Sequence, residues 1–108
     1  MLDEAIVLVS CAPANAEAIA QPLIEEKLAA CVSILSGVTS IYRWQGDICK
    51  DQECLLVIKT RRHCWGQLEK RIKELHSYSV PEILMVSIEA GHVPYLNWLA
   101  DAVPQPIS

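Results

Sequence analysis

The stretch CVSILSGVTSIYRWQGDICKDQECLLVIKT, from Cys31 to Thr60, decides the fold. It reads as two extended arms joined by the tight turn Trp44-Gln45-Gly46-Asp47. The first arm, Cys31–Trp44, is rich in Val, Ile, Thr, Ser and Tyr. The second, Glu53–Thr60, holds the unbroken apolar run Cys54-Leu55-Leu56-Val57-Ile58. The first arm is more than twice as long as a typical strand of about 5–6 residues. A sheet built from 108 residues cannot cover both faces and both edges of such an element. Exposed apolar edges invite pairing with another chain. The hairpin is therefore expected to overhang its own domain and to meet another copy of itself.

Composition supports this reading. At 108 residues the chain reads as one domain, residues 1–108, near the small end of the comfortable range. Hydrophobic residues make up 52 % and charged residues 20 %, which excludes a disordered chain and is high for a small monomer with much surface to keep polar. Net charge is −4, and the basic residues are scattered apart from Arg61-Arg62, so nucleic acid is not an expected partner. The start, Met1-Leu2-Asp3-Glu4, is acidic and lacks the pattern of a secretory signal. No run approaches the roughly 18 apolar residues of a membrane span. Five cysteines in odd number, with no C-x-x-C pair, suit reduced thiols in a cytoplasmic protein.

Outward from the hairpin, Ala5–Cys11 reads as a compact apolar strand ended by Ala12-Pro13. Asn15 is placed to cap a helix running to about Ala30, with Ile19, Leu23 and Ala30 on one stripe and Ile24 and Leu28 beside it. Pro22 lies inside that helix, where it removes a donor and clashes with the preceding turn, so a kink or an irregular first turn is expected. Gly37, in mid-strand, marks a bulge or a close backbone approach. A second helix, about Cys64–Leu75, sets Trp65, Leu68, Ile72 and Leu75 at helical spacing, with Glu69 and Lys73 as an i,i+4 pair. The loop His76–Pro81 leads to a last strand, Ile83–Ala90, and Pro94 opens a short helix to Val103 with Tyr95, Leu96, Trp98 and Leu99 as packing residues. Pro104 and Pro106 end it and leave a loose tail.

The order β-α-β-β-α-β plus a terminal helix is the α+β, ferredoxin-like pattern, with a long β2–β3 hairpin. In that topology the first two strands run one way and the last two the other. Cys11, the turn at Gly46, His76 with Tyr78, and Glu82 then converge on one edge, where any site is expected.

The strings Glu25–Val32, Ser40–Gly46, Ile58-Lys59-Thr60 and His76–Ile83, together with Tyr95–Leu99, resemble the CutA divalent-cation tolerance family across nearly the whole chain. The resemblance implies a ferredoxin-like homotrimer linked to tolerance of divalent metals, chiefly copper, and similar in architecture to PII signalling proteins. It implies Cys11 and His76 as metal ligands. Where some relatives carry two adjacent histidines this chain has Leu75-His76, and the common His-Pro-Tyr-Glu string is here His76-Ser77-Tyr78-Ser79.

Thiolate and imidazole together suit copper, but one Cys and one His are too few for a closed four-ligand site. Glu82, water or a neighbouring subunit would complete it, so the candidate metal ligands are Cys11, His76 and Glu82. Against this stands a plain reading of Cys11 as a buried strand end and His76 as a solvated loop residue. Tyr42, Trp44, Tyr78 and Lys59 are candidates for an intersubunit cleft, with Trp44 favoured as interface packing and Glu82 as a partner for Lys59. Cys31 reads as core, His63 and Cys64 as surface residues where the second helix begins, Cys49 as exposed near the turn, and His92 as a solvated turn residue. No phosphate loop, nucleophile elbow or H-E-x-x-H string is present, so no enzyme is expected. The alternatives are a PII-like small-molecule sensor and a purely structural trimer.

Overall fold

The structure, a computed structural model, describes residues 1–105. The loose tail expected from Pro106 lies outside them. Among these residues four strands and three α-helices follow one another as β1 (Glu4–Cys11), α1 (Ala16–Glu25), β2 (Cys31–Trp44), β3 (Asp47–Arg61), α2 (Trp65–Leu75), β4 (Ile83–Ser87) and α3 (Val93–Ala102), with one 3-10 turn before α1 and another before α2. The strands form one antiparallel sheet in the order β2-β3-β1-β4. This is the ferredoxin-like α+β arrangement, because α1 carries the chain from β1 past β3 to β2 and α2 carries it from β3 past β1 to β4.

Alternation sets the core. Ala5, Val7, Val9 and Cys11 of β1 and Cys54, Leu56, Ile58 and Thr60 of β3 are buried on one side. Against that side pack Ile19 and Leu23 of α1 and Leu68 and Ile72 of α2, each fully buried. Ile24, expected beside the α1 stripe, points outward and is 40 % exposed. Trp65 and Leu75 pack on the core from its margin.

Helix α1 stops at Glu25, not near Ala30. Pro22 has no N–H to give, and only one further turn follows it. The chain leaves through Lys27 at φ 60°, while the N–H groups of Leu28 and Ala29 both turn back to the Leu23 carbonyl. Asn15 stands at the start of α1 but does not cap it. Its amide donates to the Leu75 carbonyl at 3.4 Å, and its Oδ1 accepts from the Ser77 N–H at 3.2 Å, so it ties α1 to the exit of α2. The expected Glu69–Lys73 ion pair gives way to Arg71, which bridges Glu26 of α1's exit and Glu74.

The hairpin is longer than its sequence suggested, because β3 begins at Asp47 and not at Glu53. Gln45 at φ 49° and Gly46 at φ 87° make a two-residue turn of the kind that matches strand twist. The last rung between β1 and β3 is Cys11 with Cys54, whereas β2 and β3 stay paired for seven further rungs, from Val38–Glu53 out to Trp44–Asp47. That overhang is about 20 Å long at the usual rise per residue, and it explains an overall shape of 45 × 26 × 22 Å.

Gly37 sits at a bulge. Leu35 pairs with Leu55 but Val38 pairs with Glu53, so two residues of β2 face one of β3. Gly37 has φ +74°, a conformation costly for any residue with a Cβ. The extra residue switches the side-chain parity of β2. Ser40, Tyr42 and Trp44 thereby join the face that carries Asp51 and Glu53 of β3 and Ser10 of β1.

At the other end of the sheet Asp3 gathers Arg61, at 3.0 Å, and His63, at 2.8 Å. The second nitrogen of His63 lies 3.3 Å from the Pro104 carbonyl. Cys64, expected at the surface, is buried beneath this cluster. Burial acts to raise the Asp3 carboxyl, but the hydrogen bond with His63 and the charges of Arg61 and His63 outweigh it and hold the group below its usual range. A carboxyl lowered by folding stabilises the protein above its unfolded value of about 3.9, and that contribution is lost as pH falls through the folded value. Asp3→Asn is expected to cost about 1 kcal/mol or less near neutrality, because the cluster is partly exposed. It should also flatten the acid limb of stability against pH, read by urea unfolding at about pH 3 and about pH 7.

Candidate functional site

Between the overhanging hairpin and the loop that follows α2 lies an open groove of about 660 Å³. Its walls come from four segments: Ser10 of β1; Ser40, Ile41, Tyr42 and Trp44 of β2; Asp51 and Glu53 of β3; and Tyr78, Ser79, Val80 and Glu82 beyond α2. The bulge at Gly37 supplies the β2 wall, and the rung Val9–Ile83 sets where Glu82 enters, just ahead of β4.

Three carboxylates line this groove, and no lysine or arginine is among its lining residues in the described chain. Glu53 is only 6 % exposed. Its Oε2 accepts from the Tyr78 hydroxyl at 2.8 Å. Tyr42 donates in the same way to Asp51 Oδ2. Both phenols are raised above their ordinary range. For Tyr42, pushed up to about 12, the hydrogen bond to Asp51 is the main cause. For Tyr78 burial leads, followed by the bond to Glu53. Each tyrosine therefore stays a neutral donor at physiological pH and leaves one oxygen of its carboxylate free for another partner.

His76 holds the wall in place. It is buried, and its Nε2–H donates to the Ser10 carbonyl at 2.8 Å. Its Nδ1 accepts from the Tyr78 N–H at 3.1 Å. The two partners select the neutral Nε2–H tautomer and occupy both ring nitrogens. The ring also packs on Tyr78 at a centroid distance of 4.7 Å.

Of the three metal-ligand candidates, then, only Glu82 lines the groove. Cys11 belongs to the buried core cluster on the helix side of the sheet, where burial and the neighbouring Cys54 and Glu53 push its thiol up to about 11. His76 is a buried brace and not a solvated loop residue. Among the described residues no group of three or more His, Cys, Asp and Glu side chains is gathered as a metal cage. Of the cleft candidates, Tyr42, Trp44 and Tyr78 do meet in the groove. Lys59 does not: it lies on the rung with Ile6, well below Ser10, and its ammonium donates to Ser33 Oγ at 2.6 Å, not to Glu82. Cys31, expected in the core, is half-buried beside it. The sequence does not single out Asp51 and Glu53, since the second arm reads as beginning at Glu53 with Asp51 ahead of it; their one signal is alternation continued through the turn.

The model of the CutA1 divalent ion tolerance protein family matches residues 5–102. The divalent-cation tolerance protein CutA of Thermus thermophilus is 46 % identical over 100 residues, 93 % of this chain and 97 % of that protein. A CutA homolog of Xenopus laevis is 44 % identical over 90 residues, covering 83 % of this chain and 60 % of its own greater length. Among solved structures, the divalent cation tolerance protein of Thermus thermophilus superimposes with a TM-score of 0.90 at 47 % identity, over 94 % of this chain and 99 % of that one. The PII-like protein CutA from Nostoc does so with a TM-score of 0.87 at 32 % identity, over 93 % and 97 %. This chain belongs to the CutA1 divalent-cation tolerance family.

Proposed function

We propose that the chain works as a single-domain homotrimer in tolerance to divalent cations, copper among them, without catalysing a reaction, and that the groove beside the hairpin receives the cation. One observation carries this reading: Asp51, Glu53 and Glu82 line one groove whose described lining holds no basic side chain, although they are not gathered as a ready cage. Oxygen donors of this kind suit hard and borderline divalent ions. A soft ion would draw on Cys11 and His76 as well, and each would first have to give up its present contacts.

The assembly is supported by what the single chain leaves uncovered. Ile41 is 68 % exposed, Ile48 74 %, Leu84 55 % and Trp44 46 %. Ile41 and Ile48 lie on one face of the overhang and Trp44 on the other, with Leu84 on the adjoining open sheet face, as expected of an overhang covered by other copies. A Cys11–His76 nucleophile and base is disfavoured, since the imidazole bonds the Ser10 carbonyl and not the sulfur. Five free thiols favour a reducing compartment such as the cytoplasm.

The second reading is a small-molecule sensor, favoured by the likeness to a protein described as PII-like. The acidic lining of the groove weighs against a phosphate-bearing ligand. Calorimetric titration of the trimer with copper(II), nickel(II) and zinc(II) separates the possibilities. Glu53→Gln and Glu82→Gln are expected to weaken binding by about tenfold each, the loss of one charged ligand. If Cys11→Ser and His76→Gln carry the loss instead, the metal sits on the strand-end edge. If no variant changes the titration, or only a nucleotide binds, the cation reading fails.

A further inference from the structure

Cys31 and Lys59 face each other on one rung of the β2–β3 ladder, four rungs below Leu35–Leu55, the last rung before the bulge, on the side away from the helices. The Lys59 ammonium lies 3.8 Å from Cys31 Sγ and donates to Ser33 Oγ at 2.6 Å, which holds its nitrogen beside the sulfur. The Lys59 carbonyl accepts from the Ala30 N–H at 2.8 Å, so the backbone of the pair is pinned at both strands. Cys31 is half-buried in the single chain, whereas Cys11, Cys54 and Cys64 are buried. Cys49 is half-buried too, but no amine hydrogen-bonds its sulfur among the described residues.

We propose that Cys31 and Lys59 are a peroxide-responsive cross-linking pair, joined on oxidation by a sulfur–nitrogen bond between the two strands. The Cys31 thiol first loses its proton to solvent, and the sulfur attacks the outer oxygen of a hydroperoxide. The O–O bond breaks, the sulfur is oxidised by two electrons to a sulfenic acid, and the peroxide is reduced to an alcohol or, from hydrogen peroxide, to water. The departing oxygen takes its proton from the Lys59 ammonium, which leaves the amine neutral. That amine attacks the sulfenyl sulfur; the S–OH bond breaks, and hydroxide leaves as water with the proton released by nitrogen. Sulfenic acids condense with nitrogen nucleophiles in this manner, and thiols reverse the product. The hydroperoxide is the only oxidant consumed. The cross-link would protect the sulfur from further oxidation and staple the base of the long hairpin.

The test is tryptic mass spectrometry of the purified full chain after limited treatment with hydrogen peroxide. The expected product joins the Cys31 peptide to the Lys59 peptide with the net loss of two hydrogens, and a thiol reductant returns both peptides. Lys59→Arg keeps the positive charge but offers no amine to condense, and should lower the linked product at least about tenfold while Cys31 sulfenic acid is captured by a carbon nucleophile such as dimedone. Cys49 serves as the internal control and should give no amine-linked product. The proposal is overturned if peroxide takes Cys31 straight to sulfinic acid with no linked peptide, if Cys31 resists oxidation, or if Lys59→Arg leaves the linked product unchanged.

Discussion

Leu56→Ala lowers the unfolding free energy by about 2–5 kcal/mol, the range for a leucine deleted from a packed interior. Leu56 is fully buried on the central strand β3, and it stands between Val9 of β1 and Ile34 of β2. Both ladder neighbours have their backbones fixed by strand pairing, which limits how far the cavity can collapse. Against a whole-domain stability of about 5–15 kcal/mol the loss is large. Urea unfolding should show a lower midpoint at unchanged slope. Parent and variant must be compared at equal chain concentration, since assembly adds to apparent stability by mass action.

Ile41→Asp combined with Ile48→Asp has the largest expected effect on assembly. Each isoleucine lies on the overhang, beyond the end of β1, and is mostly exposed in the single chain. Their replacement therefore leaves the core untouched, and the folded subunit should survive with its far-ultraviolet spectrum intact. Burying an isoleucine is worth about 1.5–3 kcal/mol, and a trimer carries three copies of each position. An unpaired aspartate buried in its place adds a further cost. Together these terms exceed what a small interface can lose, so the variant should be monomeric at concentrations where the parent is assembled.

Much of this was legible in the residues. The hairpin arm Cys31–Trp44, the element order and the burial of Ile19, Leu23, Leu68 and Ile72 all followed from alternation and helical spacing. The end of α1 was not, because nothing local announces that Lys27 will adopt a positive φ without a glycine. Strand β4 ends at Ser87, earlier than its apolar pattern suggested, since only Ala5–Val9 of β1 offer it partners. The convergence of four segments on one edge was readable from topology, but the roles within it were not. Whether Cys11 faces the helices or the groove depends on strand parity, and the bulge at Gly37 changes that parity for β2 in a way no single residue reveals. The family resemblance implied His76 as a ligand, but its part in bracing the wall was not legible, because its two hydrogen-bond partners, the Ser10 carbonyl and the Tyr78 N–H, are backbone groups that carry no signature in the sequence.

The groove makes sense as an intersubunit feature only if the overhanging hairpins meet, and static light scattering at micromolar chain concentration tests that most directly. The expected result is three times the 12.0 kDa chain mass for the parent protein, falling to one chain mass in the Ile41→Asp, Ile48→Asp variant. A single-chain mass for the parent protein would contradict the trimer.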